Sequence, residues 1–329
     1  MKNSVLVTGG AGYIGSHAVL ALLERGFTPV IIDDLSTGVR EAVPEGADLY
    51  LGDVGDKRFV SEILRERRPH AVMHFAGSIV VEESVRNPTK YFRNNTSNTL
   101  TLIEAWLVHG GGPFIFSSTA AVYGMPGSER VSEDAPKVPI SPYGASKWLS
   151  EMMIRDTAAA HPAFRSVCLR YFNVAGADPA GRTGQRGPQS THLIRVAIEV
   201  ALGLRERMSV FGLDYDTRDG TCERDFIHVT DLADAHVAAL DYLQAGGAPA
   251  TFNCGYGRGY TVLEVLSALE QILGRPVAAD AAPRRPGDPA RLISDPSAIQ
   301  RSLAWTPRRA DLVQILESAL AWQAKLGAG

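Results

Sequence analysis

Ser4-Val5-Leu6-Val7-Thr8-Gly9-Gly10-Ala11-Gly12-Tyr13-Ile14-Gly15 is the stretch on which the reading of this chain turns. A short apolar run, Val5 to Thr8, passes directly into glycines at 9, 12 and 15. That spacing permits a tight turn and lets backbone approach a diphosphate at the N-terminus of the helix that follows. The spacing alone also occurs in ordinary glycine-rich turns, so context decides. An amphipathic stretch, Gly15 to Arg25, comes next, and Asp33 closes a second apolar run, Val30 to Ile32. An acid at that point accepts hydrogen bonds from an adenosine ribose and repels a 2′-phosphate, which favours NAD over NADP. Taken alone, Asp33 is equally a simple strand terminator.

Working outward, further apolar runs follow at Leu49 to Leu51, Ala71 to Phe75, Phe114 to Phe116 and Val167 to Tyr171, bounded by Gly, Asp or Ser. Near-continuous apolar runs of this length read as parallel strands buried on both faces. The stretches Asp56 to Arg67, Asn94 to Val108 and Pro142 to Ala160 are long enough to be the crossover helices that parallel strands require. The expected fold is α/β, a Rossmann-type doubly wound parallel sheet with a smaller C-terminal α/β substrate domain. The expected division is an NAD-binding domain over residues 1–176 and a substrate domain over 177–329. In the latter, a Gly/Pro-rich stretch from Asp178 to Pro188 and a helix from Leu193 to Leu204 precede irregular polar segments. Thr251 to Gly255 is strand-like, and the segment near 230–256 is expected to rejoin the first sheet. Asp53 and Val54, at the third strand end, are placed to flank an adenine, although Asp53 is as easily structural. Phe75, Ala76 and Gly77 would line the dinucleotide crevice.

Composition narrows the function classes. The 329 residues are 45% hydrophobic and 21% charged, enough for one large core or two moderate ones. Against 36 acidic residues stand 33 basic ones, a net charge of -3 without a long basic block, so nucleic acid is not an expected partner. The three cysteines, Cys168, Cys222 and Cys254, are too widely spaced for a zinc knuckle or a redox pair, and no metal is expected. A reducing cytoplasm is the expected setting. Neither a signal-peptide pattern nor a run of about 20 apolar residues is present, so no membrane association is expected.

Ser141-Pro142 is a helix start, with a capping hydroxyl followed by proline at the first helical position. Tyr143 and Lys147 then fall one turn apart on one face. A phenol is a poor base at neutral pH, but a nearby ammonium and the positive nicotinamide ring favour the phenolate. Thr119, at the end of the fifth strand, is placed to bind the same substrate oxygen and relay its proton. A Tyr-x-x-x-Lys pair by itself is often a solvated aromatic and a surface lysine.

With these residues in view, the chain resembles the extended short-chain dehydrogenase/reductases and, within them, the UDP-glucose 4-epimerases. The likeness rests on residues 9–17 (GGAGYIGSH), 74–77 (HFAG), 141–147 (SPYGASK), 170–173 (RYFN), 219–229 (DGTCERDFIHV) and 284–288 (RRPGD). It implies that Tyr143 takes the 4-hydroxyl proton of UDP-galactose or UDP-glucose while hydride passes from C4 to NAD. The 4-ketose then turns over about its link to the diphosphate and is reduced on its other face. It further implies Tyr13, Ile14, Asn94 and Phe172 as cofactor contacts, and Asn173, His192, Val210, Phe211, Arg224, Arg285, Asp288 and Leu292 as substrate contacts. Arg224 and Arg285 suit a diphosphate, Asp288 a uridine ribose, and Phe211 a place beside the uracil. Either arginine is equally a surface salt-bridge partner and His192 equally a helix-start histidine; Phe211 taken alone is more often core packing than a stacking partner, and Leu292 has the lesser alternative of a core leucine without substrate contact. Leu292 stands where large aromatics accompany unsubstituted hexoses and small residues accompany N-acetyl groups. The expectation is a preference for UDP-glucose and UDP-galactose. The chain departs from the family with Thr119 for serine and with Ile79 where some members have a lysine. The resemblance also implies a homodimer through the helices around Asn94 to Val108 and Ser146 to Ala160.

Two other readings compete. The chain could be a different NAD-dependent sugar-nucleotide enzyme: a 4,6-dehydratase, a decarboxylase, or an epimerase of UDP-glucuronate or UDP-GlcNAc. A dehydratase needs an added acid/base pair after the Ser/Thr position, where this chain has Ala120 and Ala121. Alternatively, it could be a non-catalytic NAD-binding sensor, which has no need of Thr119, Tyr143 and Lys147 together.

Overall fold

The computed structural model describes residues 4–186, 191–285 and 287–327. Pro188 and Pro286, which belong to stretches singled out above, lie outside the described residues. In chain order the strands are β1 (Ser4–Thr8), β2 (Thr28–Asp33), β3 (Asp48–Leu51), β4 (Ala71–His74), β5 (Gly112–Thr119), β6 (Phe164–Tyr171), β7 (Asn173–Ala175), β8 (Met208–Phe211), β9 (Glu223–His228), β10 (Ala250–Cys254), β11 (Gly259–Thr261), β12 (Ala279–Ala282) and β13 (Arg291–Leu292). The α-helices are α1 (Tyr13–Glu24), α2 (Lys57–Arg67), α3 (Val81–Arg86), α4 (Pro88–Tyr91), α5 (Asn98–Val108), α6 (Pro142–Ala160), α7 (Leu193–Ala201), α8 (Val229–Gln244), α9 (Val262–Leu273), α10 (Ser297–Ser302) and α11 (Leu312–Gly327).

The main sheet has seven strands in the order β10-β6-β5-β4-β1-β2-β3, every pair parallel. The fold is thus an α/β doubly wound sheet of Rossmann type. Alternation along each strand feeds two cores. Val5, Val7 and Ile31 face α1 and α8 with Leu22, Leu232 and Leu240, while Leu6, Val30, Phe114 and Phe116 face α2, α5 and α6 with Leu64, Leu102, Trp106 and Ile154. Burial of each such large side chain contributes about 1.5–3 kcal/mol. Strand order reverses between β1 and β4, which is where a doubly wound sheet opens a crevice at its carboxyl ends.

Beyond the sheet, β9 pairs with β11, β13 and β7, β8 pairs with β12, and α7, α9 and α11 close a separate core around Ile198, Leu269 and Leu316. The region after Leu204, expected to be largely irregular, therefore contains regular strands and helices. Its strands are short, and β12 lies mostly exposed, so no run of alternation betrays them. Helix α7 also ends at Ala201, earlier than the expected Leu204, because Gly203 adopts φ +72° and turns the chain away. No helix among the described residues is long and apolar enough to cross a membrane.

Candidate active site

At the sheet reversal, the amides of Phe75 and Ala76 both reach the Thr8 carbonyl, at 2.9 and 3.1 Å, bringing the strand ends of β1 and β4 together. Gly9 turns at φ +73°, and a Cβ there would lie 2.6 Å from the Ala76 nitrogen; a Cβ on Gly15 would lie 2.1 Å from the Gly9 carbonyl oxygen. Only glycine fits either place. Helix α1 starts at Tyr13 with no side-chain cap and no acid in its first turn, so its partial positive end is left for an anion. Asp33 sits beside this turn, accepting from the Ala11 amide at 2.9 Å and the Leu35 amide at 2.9 Å. Burial raises its pKa, and those two N–H groups pull it back. Loop, uncapped helix and fixed carboxylate together fit a dinucleotide.

The other predicted cofactor residues divide by role. Asp53 is exposed and takes an Asn98 amide at 3.1 Å, and Asn98 in turn lies 3.3 Å from Asn94. Asn94 donates to the Ser78 hydroxyl at 2.8 Å, so this polar chain runs along the crevice. The Val54 side chain is buried in the core, leaving its backbone to face any adenine. Tyr13 donates to the Gly176 carbonyl at 2.6 Å and ties the loop to the end of β7. Ile14 and Phe75 pack partly into the core, and Phe172 joins a cluster with Ala120, Val122 and Tyr123.

Helix α6 begins as its sequence requires, with Ser141 Oγ accepting from the Gly144 amide at 3.2 Å and Pro142 in the first turn. A Cβ on Gly144 would lie 2.6 Å from the Ala121 carbonyl oxygen. The absent side chain allows α6 to press against the turn after β5, and that contact sets the buried Tyr143 phenol where the Thr119 hydroxyl acts on its titration. Burial raises the Tyr143 pKa, and the Thr119 hydroxyl opposes it. One turn on, Lys147 is only 2% exposed. Its Nζ donates to the Ser117 carbonyl at 2.9 Å and lies 4.8 Å from the centre of the Phe116 ring. Burial pulls its pKa down to about 8, with the Glu151 carboxylate working against that shift.

Several supporting residues had been given no role, though His74, Ser146 and Arg170 stand in the motifs quoted above. The chain from Phe92 to Ser97 forms a π-helix, a distortion frequent at functional sites. Within it Asn95 accepts from the Ser78 amide at 2.7 Å and donates to Ser146 at 3.0 Å, locking the crevice loop to α6. Below Lys147, Glu151 accepts from Ser118 and forms a bidentate pair with Arg170, both side chains 3% exposed. Arg170 also donates to Tyr123 at 2.8 Å, and Tyr123 to Asn253 of β10 at 2.6 Å. Glu151 extends the Tyr143/Lys147 stripe by one more turn, a spacing that could have drawn notice. His74, between Thr8 and Thr99, is held neutral by burial with its pKa near 3 and serves as a core strut.

Of the predicted substrate residues, Arg224 meets Asp288 and Leu292, and Arg285 meets Phe211. Leu292 packs against the cluster of Ala120, Val122 and Phe172 and pairs in register with Arg224. Arg224 reaches Asp288 at 3.5 Å, and the Arg285 guanidinium lies 4.3 Å over the Phe211 ring. Asn173 is exposed at the start of β7. The Val210 side chain points into the core, so any nucleotide contact there falls to its backbone. His192 stands at the start of α7, with Gln185 Nε2 3.2 Å from its Nδ1. Ile79, at the mouth, is 57% exposed.

Comparison with known proteins follows the same lines. The model of the NAD dependent epimerase/dehydratase family matches residues 5–255. The UDP-glucose 4-epimerase of Azospirillum brasilense is 56% identical over 98% of this chain and 92% of its own length. The crystal structure of UDP-glucose 4-epimerase from Brucella ovis in complex with NAD shares 42% identity, with a TM-score of 0.94 over 97% of this chain and 98% of that one. The UDP-Glc/GlcNAc 4-epimerase of Campylobacter jejuni shares 46% identity, with a TM-score of 0.86 over 98% and 99%.

Proposed function

The chain belongs to the NAD dependent epimerase/dehydratase family, and from that premise we propose that it interconverts UDP-galactose and UDP-glucose by oxidation and re-reduction at C4. The observation that carries the reading is the seating of α6 on the end of β5, which buries Tyr143 under the influence of Thr119 and anchors Lys147, one turn along, on the Ser117 carbonyl at 2.9 Å beside the glycine turn at the sheet reversal. The identity to a UDP-glucose 4-epimerase over almost the whole chain supports the choice of substrate.

Gly9, Gly12, Gly15 and the open end of α1 would hold the diphosphate of NAD, and Asp33 its adenosine ribose. Asp53, Val54, Asn94, Phe75, Ala76, Gly77 and Phe172 would line the rest of its path. Bound NAD supplies the acceptor for the hydride that leaves C4 and the donor for its return. The chain's own part is proton transfer and grip. Tyr143, as phenolate, takes the 4-hydroxyl proton and returns it after the sugar has turned, so no net proton is consumed. Thr119 orients that hydroxyl. The Lys147 ammonium, mostly charged at neutral pH with a pKa near 8, offsets the burial that opposes the phenolate. Arg224 and Arg285 grip the diphosphate, Asp288 the uridine ribose, and Phe211 and Val210 border the uracil, with Asn173 and His192 beside the nucleotide. A strong hold on the nucleotide and a weak one on the hexose is what rotation of the ketose demands. Ala120 and Ala121 after Thr119 leave no acid/base pair for dehydration. Leu292 beside the hexose favours the unsubstituted sugars.

The same reading includes a cofactor body of residues 1–176 plus the returning segment near 230–256, with the remainder of 177–329 holding the UDP-sugar. It also includes a cytoplasmic setting, consistent with three buried free cysteines, and a homodimer. The exposed Leu100, Val108 and Leu149 on α5 and α6 support such an interface. The test is incubation of the purified protein with UDP-galactose without added cofactor, followed by NMR. UDP-glucose as product, with NAD released on denaturation, is expected. Bound NAD with the sugar untouched would overturn the epimerase assignment.

A further inference from the structure

Glu82 opens α3 on the cofactor side of the cleft, and Arg285 lies on the loop opposite. Arg285 Nε approaches Glu82 Oε1 to 3.6 Å while its guanidinium rests over Phe211 at 4.3 Å. The neighbouring carboxylates have other partners: Glu83 takes Lys90 Nζ at 2.6 Å, and Asp288 takes Arg224 at 3.5 Å. The pair therefore spans the cleft, and it engages one of the two arginines assigned above to the diphosphate.

We propose that Glu82 is a counter-ion of Arg285 that a diphosphate must displace, so that its carboxylate sets how tightly and for how long a nucleoside diphosphate is held. This rests on the reading of Arg285 as a diphosphate ligand. A diphosphate carries more charge than one carboxylate and accepts a guanidinium fork, so it wins the exchange. Once released, the Glu82 carboxylate faces the phosphates with like charge. Both effects weaken UDP binding and speed departure of the product. They act on charge, so they are screened by salt.

Glu82 is half exposed, with 51% of its side chain accessible, so Glu82→Gln preserves shape without threatening the fold. An exposed pair of this kind is modest, so removal of the carboxylate is expected to tighten UDP by roughly three- to tenfold. Dissociation constants of UDP and of uridine would be measured by calorimetry on the holoenzyme for the natural protein, Glu82→Gln, Arg285→Ala and the double variant, at low and high salt. The expected pattern is tighter UDP in Glu82→Gln, unchanged uridine, a gap that narrows in high salt, and loss of most of the gain in the Arg285→Ala background. If Arg285→Ala weakens UDP but Glu82→Gln leaves it unchanged, the counter-ion role is wrong and the diphosphate role of Arg285 stands. If Arg285→Ala does not weaken UDP, the diphosphate role fails and the counter-ion role falls with it. If Glu82→Gln changes uridine as much as UDP, the effect is not electrostatic exchange at the diphosphate, and the proposal is overturned.

Discussion

Replacement of Lys147 by methionine separates the two tasks this residue can perform. The ammonium is 2% exposed, and its pKa near 8 lies below the ordinary lysine value of 10.5. The unfolded chain thus holds that proton more tightly, and burial of the charge costs stability below pH 8, a cost that fades as pH rises towards 10.5. At roughly 1.4 kcal/mol per pKa unit, the cost near neutrality is about 3 kcal/mol. Methionine removes it and fills the same space, so Lys147→Met is expected to be no less stable than the parent at pH 7. Catalysis should behave differently. An ammonium one turn from a phenol stabilises the phenolate by about 1–3 pKa units. Its loss moves the Tyr143 limb upward by that amount. The turnover number with saturating UDP-galactose and added NAD is then expected to fall by roughly ten- to a thousandfold at neutral pH. The assay is a profile from about pH 6 to about pH 10, with product resolved by NMR, and the deficit should shrink above about pH 8, where the parent loses its own Lys147 ammonium. A deficit of constant size across the range would refute the electrostatic role and leave Lys147 only to position the cofactor.

Other consequences follow from the packing. Gly15→Ala sets a methyl 2.1 Å from the Gly9 carbonyl oxygen, so the turn must open; NAD should be absent from the purified variant, as read from its absorbance after denaturation. Arg170→Met strands the buried Glu151 carboxylate and should cost about 3–5 kcal/mol in denaturant unfolding, most of it recovered in the Arg170→Met, Glu151→Leu double variant. Leu292→Ala should raise kcat/KM for UDP-GlcNAc more than for UDP-galactose, because Leu292 packs on the cluster flanking Thr119. An equal change for both sugars would return Leu292 to a core role.

The cofactor half was written locally, in strands with both faces apolar, in a glycine spacing complete within seven residues, and in an acid at the next strand end. Helix α6 was equally plain, because Ser141 and Pro142 carry its start signal within three residues. What stayed hidden depends on distant partners. Thr251 to Gly255 reads as a strand returning to the first sheet, but its choice of β6 as neighbour, with Ala250 opposite Val167, is encoded by no local pattern. The π-helix at Phe92–Ser97 arises from one displaced turn, held by Asn95, Ser146 and Ser150 across two segments. Gly144 is by itself a weak helix former, and only the distant Ala121 carbonyl, 2.6 Å from where its Cβ would be, gives the reason for it. Glu151 shares the stripe of Tyr143 and Lys147, but its partners Arg170 and Ser118 lie on two strands, and Glu82 meets Arg285 across the cleft, so neither pairing has a spacing to read.

The claim at the centre is that hydride leaves C4 and returns to C4 on the same enzyme, with Tyr143 handling only the hydroxyl proton. UDP-galactose carrying deuterium at C4, turned over in ordinary water and followed by NMR, tests it directly. The account predicts UDP-glucose with deuterium retained at C4 and none appearing in solvent. Replacement of that deuterium by solvent hydrogen would mean that the carbon is inverted by proton exchange, and would contradict it.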